Sequence, residues 1–404
     1  LLSYGKYADQ FSGEFWAEGN LGSIECVDPS SASNIYGKKV ISAESYTSAG
    51  KAFQRHPGYL KKRGDWSFTE GINHVVLHLY IQQPWQDSIP GVNAWFGVEF
   101  NRHNTYFQQL KSWIDYQRRI MFLLQRGNPV KDVAYFIGED APVMTGLQQP
   151  ELPAGYDFDY INADVIMNRL SVENGRLVLP EGISYTLLVL PPLQTMRPEL
   201  LQKIENLVAQ GAKILGAPPT HSPSLQNYPQ SDEEVKKLAQ ALWGNGEKKI
   251  IPYQQGLIFN QMNLQEAFAH LQRLPDFSIE EQEKFLFTHR AMDDIDIYFI
   301  SNQTDESLAV DAKFRVGEKY PQLWNPVTGE IRSLPEFIWQ EEQVTLPLQF
   351  HPAQSWLLIF TPEKPKKNKT SSQNFPSTTV IQDLSDNWQV QFNPAMKGPQ
   401  QPQL

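Results

Sequence analysis

The 404-residue chain is short of most features that would identify its chemistry at once. Its single cysteine, Cys26, excludes an intrachain disulfide and offers no start for a metal cluster, so a buried structural thiol is expected. No apolar run approaches the length of a bilayer span, which argues against membrane insertion. There is no basic block, and 45 acidic residues against 35 basic ones leave a net charge of −10. That balance argues against nucleic acid or an anionic membrane surface as partner. GxGxxG and GxxxxGK[ST] are missing, so a nucleotide site has no support. HExxH and GxSxG are missing too, which leaves zinc chemistry and acyl transfer by serine or cysteine without a basis. There is no internal repeat. Leu1 begins no signal peptide, having neither a basic n-region nor a long apolar stretch behind it, and the start reads as an internal cut.

What remains is an ordinary globular composition, 41% hydrophobic, enough for two to four domains. Aromatic residues make up 12%, and the ten tryptophans gather toward the two ends. Aromatic faces suit sugars, although core packing accounts for most of them.

The pattern divides the chain. Over 1–127, strands are expected at Phe11–Trp16, Lys39–Glu44 and Ile72–Tyr80. A helix is expected from Pro57 to Glu70, interrupted near Gly64, and another from Asn104 to Arg126 with Phe107, Leu110, Ile114, Met121 and Leu124 on its inner face. This spacing fits consecutive units of a (β/α)8-type barrel, with active groups at the strand ends. Residues 128–245 read as a flavodoxin-like α/β domain: strands at Val133–Ile137, Tyr185–Leu190 and Ala212–Leu215, helices at Pro198–Gln210 and Asp232–Leu242. Residues 246–362 turn β-rich, with a strong turn at Asn325–Gly329 and one helix near Leu264–Leu271, and suggest a β-sandwich-like domain. Residues 363–379 read as a linker, and 380–404 as the truncated start of a further β-sandwich, with a strand-like stretch at Ile381–Phe392.

Two glutamates stand out. Glu44 follows the buried run Val40–Ala43 and precedes the hydroxyl-rich Ser45, Tyr46, Thr47 and Ser48, where a strand mouth would open on a pocket. A surface carboxylate is an equally good reading. Glu14 lies in GEFWAEG, where Phe15 and Trp16 could strip water from it, as a general acid requires. Its hard oxygens also suit calcium, and an acid at a turn edge is the plainer reading. Two carboxylates facing one pocket are the equipment of a glycoside hydrolase. His74 and His78, four apart, would share a strand face rather than a helical metal site. His78, Tyr80, Gln82 and Gln83, with Asn73 at the start of that strand, are candidate sugar contacts or satisfied polar groups at the rim. Trp85 and Trp95 flank the loop IPGVNAWFG and could wall a subsite.

GEFWAEG, SASNIYGKKVISAESYTS, LKKRGDWSFTEGINHVVLHLYIQQPW and PGVNAWFGVEFNR occur in this order, and the chain resembles the α-L-rhamnosidase-type glycoside hydrolases, family 106. LPAGYDFDYINAD, RLVLPEGISYTLLVLP, FISNQTDES and YPQLWNPVTGEI extend the resemblance, and DNWQVQFNPAMKGP is similar to the start of that family's sugar-binding-like sandwich. The resemblance implies removal of terminal α-L-rhamnose with inversion, calcium engaging the sugar, a periplasmic or secreted location, and a chain lacking the barrel's first part. It implies Glu44 as general base, Glu14 as acid or calcium ligand, and His78 and Gln83 near sugar. Asn34 stands where that family's motif would carry histidine. A non-catalytic carbohydrate-binding or scaffold module and a β-galactosidase-like enzyme are the competing readings.

Overall fold

The computed structural model describes residues 2–19, 21–49, 51–88, 91–97, 100–140, 145–146, 148–364, 372–377, 379–386 and 388–402. Ile89, Pro90, Val98 and Glu99 of the tryptophan-flanked loop region, and 365–371 of the expected linker, lie outside them.

The first unit is a three-stranded parallel sheet, β1 (Phe11–Trp16), β2 (Ile41–Thr47) and β3 (His74–Leu77), joined in that order. The crossovers carry helices α1 (Val27–Ile35) and α2 (Pro57–Thr69), and α3 (Leu110–Leu124) follows the last strand. Strand alternation sorts the side chains. Phe15, Ile41 and Ala43 turn under the sheet into a core shared with Leu60, Phe68, Trp113 and Ile120. Ser12, Glu14, Ser42, Glu44, His74 and Val76 take the other face, as the pairing register requires.

Three expectations shift here. Strand β2 continues to Thr47, so Glu44 sits inside a strand and not at its end. Helix α2 runs unbroken through Gly64. The buried stripe of α3 is Trp113, Tyr116, Ile120, Leu123 and Leu124, rotated from the expected one. The Tyr116 ring can turn inward because its polar tip is met: the hydroxyl donates to Asp65 at 2.5 Å.

The second unit is a six-stranded sheet with helices Pro198–Ala209 and Gln230–Trp243. Strands 133–136, 158–161, 187–189, 213–215 and 256–259 pair in parallel, and 250–253 joins antiparallel at one edge. Strands 250–253 and 256–259 lie in the stretch read as β-rich beyond 245, yet they complete this sheet. Ile258 and Phe259 bury in its core.

The third unit packs two antiparallel sheets on one core, with Phe277, Phe314 and Leu346 from one and Tyr298, Ile300 and Leu358 from the other. Strands Ile295–Asn302 and Ser355–Thr361 are buried on both faces, since Phe299 and Ile359 also meet the core beneath the first sheet. Among the described residues after 379 there is no strand, only a single bridge residue at Val390 and the helical turn Pro394–Met396; Ile381 and Trp388 are exposed.

Buried charges tie the units together. Asp132 accepts from Arg273 at 2.8 Å and from Arg315 at 3.1 Å, and Arg315 also reaches Asp276 at 3.2 Å. His289 lies between Asp276 and Asp296, each 2.9 Å from a ring nitrogen, stacked on Tyr298. Burial alone would lower its pKa, but the two carboxylates outweigh burial and push it up to about 9. A histidine with a raised folded-state pKa stabilises fully below its unfolded value of 6.5. That contribution is lost as pH rises through about 9. We expect denaturant midpoints measured from pH 6 to pH 10 to fall over that window, and His289→Gln to remove this part of the decline.

Candidate active site

Glu14 and Glu44 are Cα partners on neighbouring parallel strands, and Val76 continues the row on β3. All three therefore point the same way, away from the helices. The face is open: the Glu44 side chain is 45% exposed and Val76 48%. It is a half-walled surface and not the enclosed hollow a complete barrel would form, because three strands cannot close on themselves. A cavity of about 630 Å³ lies elsewhere, beside β3, lined by His74, Arg118, Arg119, Trp324 and Asn325 among others.

Each carboxylate is held by a side chain from its own strand or the next. The Trp16 indole N–H donates to Glu14 Oε1 at 2.7 Å. Phe15, expected to help strip water from Glu14, points into the core instead, since adjacent strand residues face opposite ways. Of the two aromatics expected beside Glu14, only Trp16 faces it, and that contact is polar. Thr47 Oγ1 donates to Glu44 Oε1 at 3.0 Å, and His78 Nε2 stands 3.6 Å from the same oxygen. His78 stacks on Phe96 at 5.4 Å between centroids, and its buried Nδ1 has no hydrogen-bond partner among the described residues. Ser48 N–H donates to Phe96 O at 3.0 Å, tying the loop after β3 to the end of β2.

That loop carries the aromatics. Tyr80 and Trp85 are 56% and 57% exposed, and Trp95 is 74% exposed, edge-on to Phe96. These rings stand free for a ligand. Gln83 and Asn73 do not. The Gln83 amide is spent on its own loop: Oε1 accepts from Val92 N–H at 2.9 Å and Nε2 donates to Val92 O. The chain passes so close that a Cβ on Gly91 would lie 2.0 Å from Gln83 Oε1. Asn73 is buried at the other end of the sheet, accepting from Ile41 N–H at 2.8 Å and donating to Lys39 O at 2.9 Å. Both were candidate sugar contacts, and both instead hold backbone. Asn34 donates to Asp159 at 2.9 Å, so its departure from the motif bears on packing between the first two units.

Calcium takes six to eight oxygen ligands. Glu14 and Glu44 supply hard oxygens of the right kind, but among the described residues no cluster of three or more acidic, histidine or cysteine side chains could hold a metal ion. These residues do not fit a complete calcium site. Phe96, and the hydrogen bonds of Trp16 and Thr47 to the glutamates, emerge only with the structure. Thr47 and Trp16 were visible as neighbours of the glutamates, but alternation alone points Thr47 away.

Comparison with known proteins gives a consistent picture. The sequence profile of a glycoside hydrolase family described as alpha-L-rhamnosidase matches residues 1–337. A protein of Formosa agariphila named "Putative beta-glucuronidase" is 36% identical over 92% of this chain and 31% of its own length. The rhamnosidase structure from Novosphingobium sp. PP1Y superposes with a TM-score of 0.82 at 26% identity, covering 96% of this chain and 37% of that one. A family 42 beta-galactosidase from G. stearothermophilus is similar in fold alone, with a TM-score of 0.52 at 12% identity over 89% of this chain and 60% of that one. The chain thus spans about a third of the length of its two nearer relatives.

The Gln83 clamp has a direct consequence. Gln83→Leu leaves the Val92 N–H and C=O unpaired and should loosen the loop without disturbing the cores. Limited proteolysis should then cut between residues 84 and 97 faster, with an unchanged melting temperature; an unaltered cleavage rate would show that the loop is held by other contacts.

Proposed function

The chain belongs to the alpha-L-rhamnosidase family of glycoside hydrolases, and from that membership we propose that its open sheet face supplies the water-activating half of an inverting site that removes terminal α-L-rhamnose from a glycan. The observation that carries this reading is the in-register pair Glu14 and Glu44, with Thr47 and His78 around the second carboxylate. Glu44 is the base: it takes a proton from water as the oxygen attacks the anomeric carbon. An acid on the far side gives its proton to the departing glycosidic oxygen.

Register argues against Glu14 as that acid. Inverting enzymes hold their two carboxyl groups about 6.5–9.5 Å apart, to leave room for water. Laterally paired residues on adjacent strands stand only ~4.8 Å apart at the backbone. The acid therefore comes from polypeptide outside this three-stranded sheet. Glu14, oriented by Trp16, is better placed to bind a sugar hydroxyl beside the reacting water. Calcium enters this reading only with further oxygens beside those of the two glutamates. The flavodoxin-like and β-rich units serve as supports, and such an enzyme would meet its glycan in the periplasm or outside the cell.

The name of the Formosa relative raises glucuronic acid as the alternative sugar. Its carboxylate would need a free cation. Near the site Arg63 is committed to Glu25 and to Trp16 O, and Arg55 to Glu18 and Ala49 O, while two glutamates line the face. A neutral 6-deoxy sugar meets no such repulsion, and Val76 offers its methyl group apolar surface.

Hydrolysis of aryl α-L-rhamnoside against aryl β-D-glucuronide by the whole protein tests the reading. The rhamnoside should be cleaved, with β-rhamnose as the first product by NMR. Glu44→Gln should lose about 10²–10⁴-fold in turnover and keep its fold; hydrolysis at the wild-type rate by that variant removes Glu44 from the mechanism. The 404-residue chain alone should bind rhamnosides weakly and cleave them poorly, and full turnover by it would contradict the divided site.

A further inference from the structure

Strand β2 does not run straight past Glu44. Phe15 pairs with Ser45, but Trp16 pairs with Thr47, so Tyr46 is the extra residue of a β-bulge. Its φ is +68°, a left-handed conformation uncommon for any residue with a Cβ. With strict alternation Tyr46 would stand on the face of Glu44, and Thr47 would point beneath the sheet with Ser45. The bulge exchanges them.

Tyr46 goes down. It is fully buried, edge-on to Phe15 at 4.9 Å between centroids and tilted against Trp113 at 5.3 Å. Gln117 Nε2 donates to its hydroxyl at 2.7 Å. Helix α2 can pass over that hydroxyl because residue 64 is glycine; a Cβ there would lie 2.1 Å from it. Thr47 is turned back toward the glutamate pair. Its carbonyl accepts from Ala17 N–H at 2.7 Å, which fixes the backbone on the β1 side, and its hydroxyl reaches Glu44 Oε1. Bulges beside active sites commonly re-aim a side chain in this way.

We propose that Thr47 is a positioning residue for Glu44: its hydroxyl holds Oε1, so that Oε2 is the oxygen that receives the proton of the attacking water. His78 approaches the same Oε1, and among the described residues nothing hydrogen-bonds Oε2. The anchor of the device is remote from the chemistry, in the Tyr46–Gln117–Gly64 contact under the sheet. The inference rests on the reading of Glu44 as base.

The test is steady-state kinetics of the whole protein on a panel of aryl rhamnoside, glucuronide, galactoside and fucoside, with Thr47→Val and Thr47→Ser. Thr47→Val keeps shape and loses the hydroxyl; Thr47→Ser keeps the hydroxyl. We expect Thr47→Val to lower kcat about tenfold with KM unchanged, the effect of one hydrogen bond. Thr47→Ser should recover most of the loss, at equal melting temperatures for all three proteins. With an active wild type, a Thr47→Val enzyme of unchanged kcat overturns the positioning role, and so does a Thr47→Ser enzyme as impaired as Thr47→Val. A wild type that cleaves none of the panel overturns the base reading of Glu44, and the role of Thr47 with it.

Discussion

The lateral pairing of β1 with β2 is the constraint from which the site follows. In a parallel sheet, paired residues on adjacent strands face the same side, so Gly13 and Ala43 beneath the sheet go with Glu14 and Glu44 above it. The apolar side must be buried, and α2 and α3 bury it. That fixes the register, because a one-residue slip of β1 would turn Phe15 out to water and Glu14 into the core, and a slip of β2 would do the same with Ile41 and Glu44. Juxtaposition of the two acids is therefore a by-product of hydrophobic sorting, and no separate interaction between them is needed to bring them together.

The sheet needs rigid backing, and the backing is polar at its joints. Asp65 on α2 is buried and accepts from Lys61 at 2.6 Å, Tyr116 at 2.5 Å and Ser301 at 2.9 Å, so it joins both helices to a strand of the third unit. A lone buried carboxylate would be costly, while one with several donors fixes the angle at which elements meet. The Asp132, Asp276 and His289 group does the same between the second and third units. Apolar surfaces alone would let these units slide; directional bonds at their seams do not.

Much of this could be read from the sequence. Pro198–Ala209 shows its inward Leu200, Leu201, Ile204, Leu207 and Val208 plainly, and all five are buried. Leu308–Phe314 alternates as an antiparallel strand should. Other features could not be read, each for a physical reason. Gly64 looks like a helix break because its role depends on Tyr46, distant in sequence. The left-handed Tyr46 has no local signature, since tyrosine is a good strand former and nothing nearby demands a bulge. The polar ends of Gln83 and Asn73 suggest ligand contacts as readily as backbone clamps, and only the fold decides between them. Strands 250–253 and 256–259 lie after a helix and read as β-rich, because sheet membership is a long-range property.

Two carboxylates side by side also say something about the walls the site needs. Unit charges about 5 Å apart repel by roughly 1 kcal/mol in water and several times that where the effective dielectric falls to ~20. On the open face seen here, solvent screens them. Enclosing the same pair in a sugar-binding hollow strengthens the repulsion as water leaves. The N–H of Trp16 and the hydroxyl of Thr47 offset part of it, one for each acid. A wall that brings hydrogen-bond donors to this face would offset the rest, whereas plain apolar side chains would leave the pair uncompensated. The two glutamates thus set what any enclosure of this face has to supply.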